Sequence, residues 1–397
     1  MPGLISATQA LELVLSRAAP LDLGEVPLAD GRGLVLGRPV IADRDYPPFD
    51  RATMDGFAVK LAHAGRRIRV AGESRPGMTS DVVPDEDACV EIMTGAPCPA
   101  GTEAVVMKEE VERSAADALL PAKIASGQNL VRAGTECRRG DVVVPAGAQI
   151  GAITTALLAG VGHETVWARR RPSVAVVVTG DEVVHGGSAP LPVKIRDSNG
   201  PMLMAMACDA GITRTRLHHV EDTREALARI LESTADADVV VLTGGVSAGN
   251  YDFVPEALHA YGVAQAFHKV AQQPGKPIYF GTKGARLFFG LPGTPLGCHL
   301  GFFRYVVPAL RVLAGSAPAH RSGSGTLTAP WSTRSDRQQF VLAAAEAAEG
   351  AWRLTPLVTR GSSDLFSAWS ASAYLDIPEG TRELPPNAPV TFQWLRS

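Results

Sequence analysis

The sequence has few cysteines, and they form no recognisable pattern. Five of the 397 residues are cysteine, spread from Cys89 to Cys298 without a CxxC pair, and no HExxH motif occurs. An odd number at wide spacing gives no support to a disulfide framework or a zinc site and is typical of reduced thiols. We therefore expect a cytoplasmic protein.

Long apolar runs and an excess of one charge are also missing. No uninterrupted apolar run approaches the roughly 18 residues of a membrane span. Residues 1–17 lack the basic start of a signal peptide and carry Glu12 inside their apolar stretch. The 38 Lys and Arg nearly balance the 41 Asp and Glu, a formal net charge of -3. We therefore predict neither a membrane nor a nucleic acid as a partner.

The composition is that of a globular protein with many turns. Hydrophobic residues make up 46% of the chain and charged residues 20%, which is too apolar for a disordered chain. The 40 Gly and 29 Pro lie scattered between short apolar runs. At roughly 100–200 residues per domain, the length indicates two to four domains.

The predicted secondary structure changes several times along the chain. Ser6 and Gln9 have capping-box spacing and predict a first helix. Short β-like runs broken by Gly and Pro occupy about 20–145, a helical stretch lies near 154–159, and a β-like tail begins near 320. Between them, strands alternate with helices, which predicts right-handed crossovers and a mostly parallel sheet. Its strands are predicted at 173–178, 214–219, 238–242 and 287–291, with helices at 200–211, after Asp222 and at about 295–312.

Three hydrophobic strands of this α/β region run directly into polar turns that contain glycine. Because ligands bind outside the carboxyl ends of strands in open parallel sheets, we expect the three turns to meet at one crevice. Their glycines allow close backbone approach, and amides at a helix start can hold an anion. Thr294 is the predicted N-cap of the last helix, with Pro295 at its first position. The candidate residues are Thr179, Gly180, Glu182, Gly244, Gly245, Ser247, Asp252, Pro292, Gly293 and Thr294.

The side chains near these turns favour an anionic ligand and a metal. Glu182 and Asp252 carry the oxygen ligands of a hard cation such as Mg²⁺, which commonly bridges to phosphate. Lys269 and Lys276 supply cations for anionic groups. Each turn alone is more often structural, and neither a Walker A nor a GxGxxG motif occurs. Together they predict a crevice for a phosphorylated or nucleotidyl ligand with a divalent metal.

A second set of polar residues lies in the β-like region. Asp55 precedes Gly56 in a turn ahead of an alternating strand, and Thr94 with Gly95 follows another strand. Taken alone, Asp55-Gly56 fits an ordinary turn better than a functional site.

The ordered set of motifs resembles one family. The motifs are PPFDRATMDGFAV at 47–59, MTGAP at 93–97, VTGDE at 178–182, DSN at 197–199, TGGVSAGNYD at 243–252, PGKP at 274–277 and LPGTP at 291–295. In this order they resemble the MoeA family, relatives of the gephyrin E domain, from about residue 5 to the C-terminus. Any one of them is common, whereas the set is specific.

The resemblance implies a molybdopterin molybdotransferase, which inserts molybdate into adenylyl-molybdopterin and releases AMP with Mg²⁺ present. It also implies a multi-domain α/β plus β fold. The expected parts are an elongated linking region at 1–44 completed by about 146–168, a β-rich domain at 45–145, a MogA-like α/β domain at 169–316 and a C-terminal β-barrel at 317–397. A homodimer is implied, with a cleft between the α/β domain of one subunit and the β-rich domain of the other. A MogA-like molybdopterin adenylyltransferase is a possible partner.

The family's site residues can be carried over by position. Asp55, Thr94, Glu182 and Asp252 match its acids and hydroxyl, and Lys269 and Lys276 match its cationic positions. Asp55, Glu182 and Asp252 are the implied metal ligands. Asp197 and Asn199 are expected to orient the pterin or the phosphate loop.

Four positions depart from the family pattern, one of them Thr294, which replaces the Asn of PGNP and is tolerable because Thr also caps helices well. Gln273 stands where the family usually has Lys before PGKP, Asn250 replaces an acid, and Glu136 lies in a thinned arginine-rich stretch. Gln273 removes a charge, so oxyanion affinity is expected to weaken. An alternative function is therefore a molybdopterin-binding paralogue with weak or no insertion activity. An adenylyltransferase of the MogA type is disfavoured, because that chemistry needs only the α/β region.

Overall fold

The computed structural model describes residues 4–78, 81–184, 186–187, 192–246, 253–348 and 350–395. The chain folds into two compact units. The first comprises residues 1–25, 33–35 and 167–397, and the second comprises 26–32 and 36–166. The four domain bounds drawn from the resemblance are finer than this division and stay a prediction.

The first unit is built on a six-stranded sheet. Its order is Arg214–Val220, Ser173–Thr179, Val239–Thr243, Arg286–Leu291, Tyr279–Lys283 and Ala264–His268. The first four strands are parallel to one another, and the last two pairings, of Arg286–Leu291 with Tyr279–Lys283 and of Tyr279–Lys283 with Ala264–His268, are antiparallel. The predicted, mostly parallel sheet is confirmed, and each of its four predicted strands lies within a residue or two of its observed bounds.

The central strands are valine-rich because both of their faces are covered. Every residue of Ser173–Thr179 is buried. Val174, Val176 and Val178 pack into the core on one face, and Ala175 and Val177 pack into the core on the other. A continuous β-branched run buried on both faces is typical of a parallel strand between two layers of helices.

Helices cover the sheet. In the first unit they are Ala7–Arg17, Asn199–Asp209, Arg224–Ser233, Val254–Ala260, Pro295–Gly301 and Val307–Leu313, the last two joined by a π-helical turn at Phe302–Val306. The predicted capping box is present at the start of the first helix, where Ser6 and Gln9 exchange hydrogen bonds. The helix Pro295–Leu313 is long and apolar enough to cross a membrane, but 83% of it is buried inside the fold, as in a core helix.

The C-terminal part of the first unit is a closed barrel. Its five strands are Ser322–Leu327, Gln338–Ala348, Ala351–Pro356, Ala373–Ile377 and Pro389–Trp394. The barrel closes because Gln338–Ala348 pairs with both Ala351–Pro356 and Ala373–Ile377. Gln272–Gln273 pairs with Gln338 and Gln339, which ties the chain ahead of PGKP to the barrel. Two short pairs lie outside these sheets: Val183–Val184 with Ile195–Arg196, and Trp331–Ser332 with Glu383–Leu384.

The second unit is β-rich. Its main sheet has the order Ala104–Met107, Gly56–Val59, Ala88–Ile92, Arg67–Ser74, Asp117–Leu119 and Glu112–Arg113. Val40–Ile41 pairs with Val142–Val144, and Arg51–Ala52 pairs with Leu130–Val131. The helix Ala152–Gly160 covers the predicted helical stretch. Leu23–Pro27 and Thr165–Arg169 form a further pair.

Candidate functional site

The three predicted turns line one crevice at the carboxyl ends of the parallel strands. The cavity measures about 1240 Å³, and the lining includes Gly180, Glu182, Gly245, Pro292 and Gly293. This convergence confirms the prediction drawn from parallel-strand geometry. The volume exceeds the roughly 300–1,000 Å³ of common small-molecule sites. A ligand larger than a single ring system therefore fits the crevice.

Glycine is required where two of the turns approach each other. Gly244 has a φ of +99°, and a Cβ there would lie 2.4 Å from the carbonyl oxygen of Thr179. Gly245 also has a positive φ, of +59°. No other residue type fits a left-handed conformation against a neighbouring backbone at this distance. These glycines let two strand ends sit side by side at the crevice.

Asn199 ties the crevice together from the start of a helix. Its Nδ2 donates to Thr243 Oγ1 at 2.9 Å and to the Gly293 carbonyl at 2.9 Å. Its Oδ1 is buried without a hydrogen-bond partner among the described residues. A buried acceptor without a partner is costly. Asn199 therefore holds two turns in place.

Asp197 also lines the crevice, but its carboxylate is engaged within the fold. Oδ1 accepts from the Gly200 amide at 2.8 Å, and Oδ2 lies 2.8 Å from His219 Nε2. The first contact satisfies an amide at the start of the helix Asn199–Asp209. Asp197 thus orients the helix that carries Asn199.

Asp222 is a crevice residue that sequence reasoning assigned only to a helix start. Thr179 Oγ1 donates to Asp222 Oδ1 at 3.1 Å, and the Asp222 amide donates to Asp181 Oδ1 at 3.3 Å. The helix itself begins later, with Thr223 as its N-cap. The available signal was the position of Asp222 just after a parallel strand, the same signal that identified the other turns.

The third turn starts a helix as predicted. Thr294 is the N-cap and Pro295 occupies the first helical turn. The Thr294 side chain makes no capping hydrogen bond, so the helix start is set by the backbone and Pro295. The Pro292 carbonyl accepts from Thr243 Oγ1 at 3.1 Å, which joins this turn to the Gly244 turn.

The two predicted lysines do not line the crevice among its described residues. Lys276 lines a neighbouring cavity of about 640 Å³, which shares Gly275 and Ser362 with the crevice. The Lys269 amide donates to the Ile278 carbonyl at 2.9 Å, in a left-handed conformation with φ of +82°. The lysine pair is therefore not brought to one cavity wall.

Arg337 is a cation in this neighbouring cavity that sequence reasoning missed. It lines the cavity with Gln273 and Lys276, and its Nη1 donates to the Gln272 carbonyl at 3.1 Å. Arg337 comes from the barrel and reaches this position because Gln272–Gln273 pairs with the barrel strand that begins at Gln338. A charge thus lies close to the position where Gln273 lacks one.

In the second unit, Asp55 and Thr94 are in contact. Asp55 Oδ1 accepts from the Thr94 amide and from Thr94 Oγ1, each at 2.8 Å, and Lys108 Nζ lies 3.2 Å from Oδ2. The Thr94 hydrogen bonds, with a smaller contribution from Lys108, lower the pKa of Asp55 from 3.8 to about 2. Asp55 is therefore a fixed anion and a poor proton acceptor at neutral pH. Lys108 was not predicted, although it directly follows the strand Ala104–Met107.

The described residues assemble only part of a metal site. No group of three or more His, Cys, Asp or Glu side chains among them is arranged to hold a metal ion. Three carboxylates, Glu182, Asp197 and Asp222, line the crevice, and that of Asp197 is engaged by Gly200 and His219. Mg²⁺ is commonly held by one or two carboxylates with substrate phosphates and water completing its shell. The donor set of the crevice therefore fits Mg²⁺ carried with a phosphorylated ligand.

Some of the remaining predicted positions lie outside the residues that the structure describes. Ser247, Asn250 and Asp252 lie outside the described residues. Glu136, one of the departures from the family pattern, forms an ion pair with Arg51 at 2.7 Å between exposed side chains. An exposed pair of this kind contributes little to stability.

Fold and crevice together define a ligand-binding protein with an α/β part, a β-rich unit and a C-terminal barrel. Three family models match the chain in order: MoeA N-terminal region (domain I and II) over residues 5–162, "Probable molybdopterin binding domain" over 175–312, and MoeA C-terminal region (domain IV) over 324–395. The chain belongs to the MoeA family. The fold class predicted from the resemblance is thereby confirmed.

Curated relatives and solved structures agree with this assignment. A Bacillus subtilis protein named molybdopterin molybdenumtransferase is 32% identical over 90% of this chain and 86% of its own length. A protein of the same name from Staphylococcus epidermidis is 29% identical over 95% of this chain and 92% of its own. A molybdopterin biosynthesis MoeA protein from Pyrococcus horikoshii has a TM-score of 0.86 at 29% identity, with all of both chains covered.

Proposed function

We propose that this chain is a molybdopterin molybdotransferase that inserts molybdate into adenylyl-molybdopterin and releases AMP in molybdenum cofactor biosynthesis. Membership of the MoeA family and the names of the relatives support this proposal. The observation that carries it is the crevice formed by three strand-end turns and Asn199, because it suits a ligand with both phosphate and ring systems.

The residues of the crevice have distinct parts in this proposal. The Gly244-Gly245 turn and the positive end of the helix that begins at Pro295 hold the phosphates of the substrate. Asn199 keeps the Thr243 and Gly293 turns in the position in which they line the site. Lys276 and Arg337 attract molybdate, the oxyanion substrate, to the neighbouring cavity.

Mg²⁺ is proposed as the cofactor. Glu182 and Asp222 would hold it in the crevice, with Asp252 as a further predicted ligand. When bound, it would offset the negative charge of the phosphates as AMP departs. Asp55, which the resemblance also implies as a ligand, would bring its fixed negative charge from the second unit.

We propose a homodimer whose cleft combines crevice residues of one subunit with Asp55 and Thr94 of the other. An exposed apolar face supports association. The helix Ala152–Gly160 carries no charged residue, and Ile153 is 80% and Leu157 45% exposed. Unpaired apolar side chains grouped on one helix are typical of a surface that another chain covers.

The setting of the reaction is also a proposal. All five cysteines are free thiols, as expected for a reducing cytoplasm. The substrate is an adenylylated molybdopterin, so an adenylyltransferase of the MogA class would have to supply it. Neither a nucleic acid nor a membrane has a part in the proposal.

The experiment is to incubate the purified full-length protein with adenylyl-molybdopterin, molybdate and Mg²⁺ and to measure AMP. We expect AMP release that depends on Mg²⁺ and molybdate and is strongly reduced in Glu182→Gln. The matched control is Glu232→Gln, an exposed carboxylate outside the crevice, which keeps the full rate. Tight pterin binding without AMP release would instead support the molybdopterin-binding paralogue. That alternative is not favoured, since Arg337 supplies a cation beside Gln273.

A further inference from the structure

Two large aromatic side chains on one turn of the C-terminal barrel region are exposed to solvent. Phe366 is 93% exposed and Trp369 is 87% exposed, the highest values among the exposed large hydrophobic residues apart from Val358. Exposed apolar residues are ordinary when scattered singly, whereas a group beside a cavity marks a binding surface. Their position therefore indicates a surface that binds a ligand or a partner.

Phe366 and Trp369 face the same way, and both line the crevice. A single 3₁₀ turn spans Phe366–Ala368, and Trp369 is its C-terminal cap. Side chains three residues apart eclipse one another in a 3₁₀ turn, so the two rings are presented on one side. Both belong to the lining of the crevice formed by the Gly180, Gly244 and Gly293 turns.

The turn that carries the rings is held firmly. Asp364 accepts from the Arg360 amide at 3.0 Å, from the Ser367 amide at 3.2 Å and from Ser367 Oγ at 2.7 Å. Leu365 and Ala368 pack against the core of the first unit. The Leu296 amide also donates to the Ser362 carbonyl at 2.9 Å, which links the start of this segment to the helix at the crevice. The aromatic pair is thus positioned before a ligand arrives, which lowers the entropy cost of binding.

The rest of the crevice lacks aromatic surface. Phe366 and Trp369 are the only aromatic residues in its described lining, whereas the opposite parts are glycine turns, hydroxyls and carboxylates. A ligand that fits both parts has a flat ring at one end and a charged group at the other. Stacking on aromatic side chains suits any heteroaromatic ring, because each presents a π face.

We propose that Phe366 and Trp369 bind a flat bicyclic heteroaromatic ring of the substrate by stacking, while the glycine turns hold its phosphate. The inference rests on the proposed function, whose substrate carries two such rings, a purine and a pteridine. Phe366 and Trp369 belong to the segment between two barrel strands, so the barrel region takes a direct part in substrate binding.

The test is a calorimetric and fluorescence titration of the full-length protein with three probes: AMP, a free pterin such as 6-hydroxymethylpterin, and inorganic pyrophosphate, which has no ring. We expect Trp369→Ala and Phe366→Ala each to weaken binding of a ring-bearing probe by about tenfold, the size of a lost stacking contact. Pyrophosphate affinity stays within about twofold of the unsubstituted protein. Loss for AMP alone identifies the purine as the stacked ring, and loss for the pterin alone identifies the pteridine.

Fluorescence separates ring contact from a merely structural role. Trp369→Phe retains an aromatic face, so binding is kept, but most of the tryptophan quenching caused by the ring probe is lost. Trp167→Phe removes another exposed tryptophan, outside the crevice lining, and leaves the quenching intact.

Four results would overturn the proposal. They are unchanged affinity of both alanine variants for both ring probes, an equal loss for pyrophosphate, no binding of either ring probe to the unsubstituted protein, and loss of the dimer on sedimentation of Trp369→Ala, which would show that a second copy covers the pair. Failure of the proposed function is distinguishable, because it would abolish AMP release from adenylyl-molybdopterin while ring binding stayed sensitive to Trp369→Ala.

Discussion

The two groups of candidate site residues differ in how their polar atoms are used. Around Asp55 in the second unit, three hydrogen bonds saturate one carboxylate and hold its pKa at about 2. In the crevice of the first unit, Asn199 Oδ1 has no hydrogen-bond partner among the residues that the structure describes, and the turns surround a large cavity. The carboxylate of Asp55 is thus engaged within the second unit, whereas we propose that a ligand fills the crevice. We therefore assign binding to the crevice and a fixed electrostatic role to Asp55.

The largest expected effect comes from a substitution that adds a side chain to Gly244 in its crevice turn. In Gly244→Ala the new Cβ meets the Thr179 carbonyl at 2.4 Å in a left-handed backbone. We expect a loss of at least about 2 kcal/mol in the free energy of unfolding and no measurable binding of AMP. Denaturant unfolding and calorimetry measure the two effects.

Gly293→Ala is the matched control for this change. Its Cβ would have only an ordinary contact of 3.6 Å with Gly244 Cα, and its φ lies outside the left-handed region. The free energy of unfolding should therefore stay close to that of the unsubstituted protein. A Gly244→Ala protein as stable as Gly293→Ala would show that the turn is not constrained as described.

The next effect separates turnover from binding. Asp55→Asn keeps the size of the side chain but removes its charge, so we expect AMP release to fall on the order of 100-fold. AMP affinity, which belongs to the crevice, should change by less than about twofold. Asp87→Asn provides the control, since Asp87 is an exposed carboxylate of the same unit paired with Arg66. If Asp55→Asn weakens AMP binding as much as turnover, the division of roles is wrong.

The two units also differ in their response to acid. In the first unit, burial lowers the pKa of His299 from 6.5 to about 4, and burial with the charge of Arg311 does the same for His320. The unfolded chain then binds more protons between about pH 6.5 and 4. The two neutral histidines therefore make their full contribution to stability above pH 6.5. This contribution declines as the pH falls through that window, by about 1.4 kcal/mol for each unit by which the folded and unfolded pKa values differ.

Asp55 in the second unit also has a lowered pKa, but its contribution does not change within this window. Its folded pKa of about 2 lies below its ordinary 3.8, so its stabilising contribution is present above pH 3.8 and lost only as the pH falls toward 2. Thermal unfolding from pH 7 to 4 should therefore show a falling Tm, with a shallower slope in His299→Gln. Exposed His259→Gln should keep the slope. An unchanged slope in His299→Gln would argue against a buried neutral histidine.

The smallest effect concerns the neighbouring cavity. Gln273→Lys adds a cation beside Lys276 and Arg337. Because Gln273 is exposed, we expect molybdate affinity to rise by no more than about fivefold, as for a surface charge pair. Gln265→Lys adds the same charge at another exposed position and should leave the affinity unchanged. Equal gains in both variants would mean that only net charge matters.

Much of the crevice could be predicted because it depends on local patterns. Valine-rich strands that end in glycine turns identify a parallel sheet and the edge at which its loops meet, and the Gly244 and Pro292 turns followed directly. Asp222 was assigned to a helix start because its neighbours Thr223, Arg224 and Glu225 have the composition of a first helical turn.

The contributions of the barrel could not be predicted from the same patterns. Arg337 reaches the cavity of Lys276 only because Gln272–Gln273 pairs with the distant strand that begins at Gln338. Phe366 and Trp369 resemble core aromatics in the sequence, and only the turn fixed by Asp364 turns them toward the crevice. Long-range pairing of this kind leaves no periodic signal in the sequence.

The most direct test of the two-part account is complementation between two inactive variants. Asp55→Asn and Glu182→Gln would be produced separately and co-expressed, and AMP release from adenylyl-molybdopterin would be compared. With a cleft shared between subunits, half of the dimers are mixed and each contains one intact cleft, so co-expression restores about a quarter of the unsubstituted activity. If both groups act within one subunit, every subunit carries a defect, and co-expression restores nothing.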